Sequence, residues 1–203
     1  MAWVDELETV APDVVAAWRG IDAGHFISVR REVRRRAGAG SAELIVPQLA
    51  ALAEALAAVV SALPESALTL PGGEEDWNVA QTVTHDTHAR AGLILAAGLA
   101  AANRWPANVP TVVPGVPGPA DATREDLLRR ITQSQRAIER SARSIEGHEV
   151  DPCPLEHPLV GQLRCGEWLL FAGVHDLMHL EQLHRLAGTL ERAGPAVESP
   201  SDP

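Results

Sequence analysis

Residues 174–184, VHDLMHLEQLH, place His175 and His179 four positions apart. At about 100° per residue the two imidazoles lie within roughly 40° of each other on one helical face, and Gln182 falls near the same face. Imidazoles at i and i+4 can share one metal ion, as in the HExxH helices of zinc proteases. Here Asp176 stands where those helices carry glutamate, so the protease pattern is not met. A pair of histidines is an incomplete site, and a pair lining a core or a surface is the simpler reading of the spacing alone. Candidates for a third ligand are His85 and His88, from the segment TVTHDTH. Asp86 and Asp176 each directly follow one of these histidines. Each is either polar surface, a general base, or a carboxylate that orients an imidazole. His157, followed by Pro158, either rims a site or shapes a turn. Cys165, near a helix start, would have a lowered thiol pKa if exposed, and is otherwise a small buried residue.

Composition narrows the chemistry further. All 17 basic residues are arginine, and the chain of 203 residues contains neither lysine nor tyrosine. That excludes Schiff bases, a pyridoxal-phosphate anchor, a Walker-type phosphate loop and phenolic proton donors. Acid/base work falls to His, Asp, Glu, Cys or a bound metal. Codon bias in a GC-rich genome accounts for both absences. A net charge of -10 argues against nucleic acid as a partner. Cys153 and Cys165 form no CxxC pair, which suggests a reducing compartment. The start MAWVDELETV lacks the basic and apolar regions of a secretory signal. The apolar run from Ala91 is too short and alanine-rich to span a bilayer. These features predict a soluble, cytoplasmic protein with no membrane partner.

The elements that must position these groups are helical. Ala, Leu, Glu and Arg recur at helical spacing, and β-branched alternation is scarce, which predicts an all-α chain. A first helix is expected within Val4–Arg19, with Val10, Val14, Ala17 and Trp18 on one side. The basic run Arg30–Arg36 reads as a solvated face, with an anion or partner site as the alternative. An apolar helix is expected over Ala42–Leu63, stopped by Pro64. Asn78 and Gln81 have the form of a capping box opening a helix that runs to about Asn103. Five prolines between Pro106 and Pro119 make a long crossover, a length at which connections often serve as lids or binding loops. Thr123 caps a third helix through Arg143. A loop follows, holding His148, Cys153, His157 and Gly161. The last helix is expected from Cys165 to Ala187, stopped by Gly188. Trp77 and Trp168 read as core anchors, and Glu181 and His184 as the outer face of that helix. Four long helices with one long crossover make a four-helix bundle. The domain boundaries are an N-terminal helical extension over 1–41, the bundle over 42–190 and a disordered tail over 191–203.

Two segments together carry a resemblance. WNVAQTVTH places Trp77 before a helix cap and His85 on the helix. HPLVGQLRCGEWLLFAGVHDLMHLEQL brings His157-Pro158, Gly161, Glu167-Trp168 and then HxxxHxxQL. Over Ala42–Ala187 these motifs resemble the DinB/YfiT-like superfamily of four-helix bundles. The resemblance implies an up-down-down-up-type bundle, a homodimer, and His85, His175 and His179 as ligands of one divalent metal ion. It implies a packing or hydrogen-bonding role for Gln182. His88 could add a contact at the same cavity. Asn78 replaces the usual Ser or Thr, a conservative change because asparagine caps as well. Arg164 stands where a capping Thr is common, and the first forty residues have no counterpart in the pattern.

Three imidazoles leave coordination positions open, as in catalytic sites. Zinc, nickel and iron lead the metals such ligands suit, with copper and cobalt also in range. Superfamily members include S-transferases and isomerases that use a low-molecular-weight thiol such as bacillithiol, mycothiol or glutathione. The resemblance therefore makes a thiol-dependent transferase or isomerase, acting on a small-molecule electrophile, the leading function. The arginine-only cation set would suit the carboxylates of such a thiol. A metal-dependent hydrolase using Asp86 or Asp176 as proton shuttle is the second function. A non-enzymatic, stress- or damage-associated metal-binding bundle is the third. The enzyme readings require a cavity over the open side of the histidines.

Overall fold

Proline sets the first boundary. The computed structural model describes residues 2–22, 26–72, 77–109, 111–113 and 115–193. In it the segment expected as one helix is two, α1 (Ala2–Val10) and α2 (Pro12–Arg19). Pro12 takes the first turn of α2, where its missing N–H is harmless, but it cannot continue α1. The break resets the helical phase. Val14 and Ala17 are buried as expected, whereas Val10 is exposed. Gln48, from the helix packed beneath, replaces a local cap. Its Oε1 accepts from the backbone N–H groups of Asp13 and Val14, at 3.0 and 3.2 Å.

The basic run lies on α3 (Phe26–Arg36). It is more engaged than a solvated face. Arg31 and Arg36 both pair with the buried Glu32, and Arg30 and Arg34 each donate to the Gln162 carbonyl at 3.3 Å.

Four longer helices form the bundle: α4 (Ser41–Ala62), α5 (Val79–Ala101), α6 (Arg124–Ala142) and α7 (Cys165–Ala193). Both capping boxes read from the sequence are made. Asn78 and Gln81 exchange side chain-to-backbone bonds at the start of α5, as Thr123 and Asp126 do at the start of α6. α7 begins where expected despite Arg164. Glu167 reaches back to the Arg164 N–H at 2.8 Å, and the Asp151 and Glu149 carbonyls take the N–H groups of Cys165 and Gly166. α7 also runs through Gly188 to Ala193, because Leu186, Ala187 and Leu190 still lean on the core there. Within the expected disordered tail, 194–203 lie outside the described residues.

Pairwise contacts give the helix directions. Leu49 lies beside Gly173, and Val59 and Leu63 beside His184 and Ala187, so α4 and α7 are parallel. Arg90 meets Ser134 and Gly98 meets Ser141, so α5 and α6 are parallel. His85 faces His179 while Arg90 faces Asp176, so α5 opposes α7. Arg124 reaches the Leu63 carbonyl, so α6 starts where α4 ends. The bundle is therefore up-down-down-up, and the parallel α5–α6 pair is why a long crossover is needed. Among the described residues, α4 alone is long and apolar enough by composition to cross a bilayer, and its Ile45, Leu49, Leu52 and Leu56 lie in the bundle core.

The loop expected before α7 is a hairpin, β1 (Pro152–His157) and β2 (Gly161–Arg164), paired antiparallel with an irregularity between Pro152 and Glu156. Two prolines in β1 hide the strand pattern, and an edge position with a bulge is where a sheet tolerates them. The crossover adds to its edge. Glu156 donates to the Thr111 carbonyl at 2.7 Å and receives the Val113 N–H at 2.9 Å.

Candidate metal centre

α5 and α7 bring His85, His175 and His179 together. One ligand nitrogen from each lies within 4.8 Å of the others. His175 and His179 are buried and His85 is half-buried. The second nitrogen of every ring is committed elsewhere. His175 Nδ1 lies 3.2 Å from an Asp86 carboxylate oxygen, His179 Nδ1 lies 2.8 Å from Gln182 Oε1, and His85 Nδ1 lies 3.1 Å from the Val116 carbonyl. All three partners are acceptors, so each Nδ1 carries the proton and donates. Nε2 is then the nitrogen that each ring can bring to an ion.

This arrangement fits a metal on two counts. His175 Nε2 and His179 Nε2 are 3.4 Å apart. With both protons on Nδ1, two lone pairs face each other there, a repulsion that a cation between them removes. Two nitrogens each about 2.1 Å from a tetrahedral ion would lie about 3.4 Å apart. Protonation does not compete at neutral pH: burial, and then the charge of His175, pull His179 down to about 4.

A cavity of about 210 Å³ opens over the histidines. Trp77, Val113, His157, Leu159 and Met178 line it with the three imidazoles. Trp77 is thus a wall of the site, its ring 4.9 Å from His85, and not the core anchor expected; Trp168 is fully buried in the core. His157 serves both roles proposed for it. Its Nδ1 accepts the Leu159 N–H at 3.1 Å, which shapes the hairpin turn, and its ring lines the cavity. That bond leaves the proton on Nε2, so His157 offers a donor. Burial, and then the charges of His175 and His85, hold it down to about 4, so it is neutral at pH 7.

Asp86 and Asp176 are buried behind the histidines, neither at the surface nor in the cavity lining. Asp86 orients His175. Burial pushes its carboxyl up, but the His175 hydrogen bond and the charges of His179, His175 and Arg90 outweigh this and hold it below the usual range. Asp176 accepts from Arg90 Nε through both oxygens, at 3.2 and 2.9 Å. Burial and the Asp86 carboxylate push Asp176 up against that pull. Asp86, His175 and Asp176 also cluster closely enough for a metal, but Arg90 already supplies the cation there. Arg90 escaped the sequence reading. Its signal was present: Asp86 and Arg90, four apart, are the only carboxylate and the only arginine on α5.

Several other residues fall outside the centre. His88 is exposed, 3.4 Å from Arg130, and does not line the histidine cavity. His184 stacks on Trp3 of α1, and Glu181 pairs with Arg185. Cys165 is fully buried, and its contact with Cys153, then burial, push its thiol up, so the helix start does not activate it.

Comparison with curated proteins and with solved structures returns no significant match. Among protein families, the DinB superfamily matches residues 25–183, a span that begins ahead of α3 and ends inside α7.

Proposed function

The chain belongs to the DinB superfamily, and from that premise we propose that it is a divalent-metal enzyme catalysing thiol-dependent transfer or isomerisation. One observation carries the reading: three imidazoles, each with Nδ1 held by an acceptor and with one nitrogen from each within 4.8 Å of the others, line an open cavity. A structural metal in a closed bundle needs no such cavity. Zinc, nickel or iron would be held by His85, His175 and His179. When bound, the ion supplies Lewis acidity and lowers the pKa of a thiol or water.

The surrounding residues favour a thiol over water. Among the described residues no carboxylate lines the cavity, so no side-chain base faces a water to be activated. A thiol needs less help, with an ordinary pKa of about 8.5. Trp77, Leu159 and Met178 make part of the wall apolar. The His157 Nε2–H can donate to a carbonyl or leaving-group oxygen of the electrophile.

The first measurement is metal analysis. The purified chain takes up about one divalent ion, His175→Ala and His179→Ala abolish uptake, and His88→Ala does not. Undiminished uptake in both site variants refutes the centre. Conjugation of an α,β-unsaturated electrophile that requires both metal and a thiol supports transfer. Thiol-independent ester turnover would instead support a hydrolase.

A further inference from the structure

The two glycines of α5 differ in what surrounds them. Gly98 packs against α6, where an added Cβ would lie 2.7 Å from the Ser141 carbonyl oxygen. Gly92 has no such reason, since nothing lies within 4 Å of the place a Cβ would occupy. A mid-helix glycine weakens a helix by roughly 0.5–1 kcal/mol relative to alanine, so helix packing leaves Gly92 unexplained. The space above it belongs to a second cavity of about 310 Å³, walled by Gly92, Leu93, Val112, Val116 and Leu155. His85, Ala89 and Val113 also line it, and these same three residues line the histidine cavity. The two chambers therefore adjoin along one face of α5.

The second chamber is aliphatic. Apart from His85 and His88, its lining side chains are Ala, Gly, Leu and Val. Val112 and Val116 are both more than half exposed, an arrangement a soluble protein tolerates better when an apolar ligand covers it. The wall is also fixed in place. Thr111 and Val113 are bonded to Glu156, the Val116 carbonyl to His85, and the Gly118 N–H to the Gln81 carbonyl. The chamber therefore exists before any ligand arrives.

We infer that this chamber is a specificity subsite, which takes an alkyl substituent of the substrate whose reacting end lies at the histidines. The inference rests on the metal reading above and adds the substrate class: an electrophile with an aliphatic chain. At about 30 Å³ per displaced water, the volume suits on the order of ten non-hydrogen atoms.

Binding of two metal-chelating probes, acetohydroxamate and hexanohydroxamate, to the zinc-loaded full chain tests this by calorimetry, without turnover. The chelating heads are identical and only the tails differ. Each buried methylene contributes roughly fourfold in affinity, so the four additional methylenes make hexanohydroxamate bind tighter by on the order of a hundredfold. Gly92→Leu fills the floor of the chamber and removes that gain while leaving acetohydroxamate affinity unchanged. Val112→Asn, on the exposed wall and away from the bundle core, reduces the gain by polarity. Equal affinity for both probes in the wild type, or a gain that survives both substitutions, overturns the subsite while leaving the metal reading intact. Failure of both probes to bind, with no zinc retained, overturns the metal reading and the subsite with it.

Discussion

The three clustered imidazoles and His157 are governed by which ring nitrogen keeps its proton, and that leaves a mark on stability. His179 and His157 are each pulled down to about 4 from an ordinary 6.5, in both cases chiefly by burial. Between those values the unfolded chain binds protons that the folded chain refuses. Stability of the metal-free protein therefore falls as pH drops from about 6.5, and this contribution levels off below about 4. Thermal midpoints of metal-free protein between pH 7 and pH 5 should fall steadily, and His157→Asn should show a shallower fall. A slope unchanged in that variant would show that His157 is not the suppressed titration. The clustering of His175 and His179 was legible because they recur at helical spacing, whereas spacing left His85 and His88 open and only the resemblance selected His85. The partners that set the tautomers were less legible. Gln182 lies three residues from His179, but the Val116 carbonyl comes from an irregular segment 31 residues beyond His85. No periodicity reports such a contact.

At the scale of elements, the proline-rich crossover 102–122 is as much part of the site as the helices. Gly118 presses directly on α5: a Cβ there would lie 2.2 Å from Thr84 Cβ, far inside van der Waals contact. Gly118→Ala must lift the crossover, and with it the Val116 carbonyl that holds His85 and the valines that wall both cavities. The expected result is unchanged helical circular dichroism with metal affinity lowered about tenfold, the scale seen when a ligand's hydrogen-bonding partner is lost. Unaltered metal affinity would mean that the crossover merely covers the site. The same contrast separates what the sequence disclosed from what it did not. Asn78 with Gln81, and Thr123 with Asp126, announce their helices because capping is local chemistry. The hairpin before α7 was hidden because Pro152 and Pro154 disfavour strands locally, and only pairing with Gly161–Arg164 and Thr111–Val113 stabilises it. Pro12 was visible, yet a period-matched apolar pattern on both sides concealed the break it makes.

Across the whole molecule, one guanidinium touches all four bundle helices. Arg90 of α5 has no exposed surface. It donates to Asp176 of α7, to Ser134 Oγ of α6 at 3.2 Å and to the Leu49 carbonyl of α4 at 2.8 Å. Asp176 directly follows His175 on α7, so the hub sets the relative position of α5 and α7 next to the three histidines. Burial of an ion pair is weak evidence of net stabilisation, because desolvation offsets most of the attraction. What the hub supplies is a requirement that the helices meet in one register. That distinction can be measured with a double-mutant cycle in urea. Arg90→Met strands the Asp176 carboxylate and Asp176→Leu strands the guanidinium, each expected to cost about 3–5 kcal/mol. The double variant, in which neither charge is left unpaired, should recover most of that loss, giving a coupling energy that approaches the sum of the two single effects. Metal affinity should not recover in parallel, because Met and Leu fill the space without fixing how far α7 lies from α5. If the double variant is as unstable as the two single losses added together, Arg90 and Asp176 act independently. If it regains both stability and metal affinity, the hub has no positioning role.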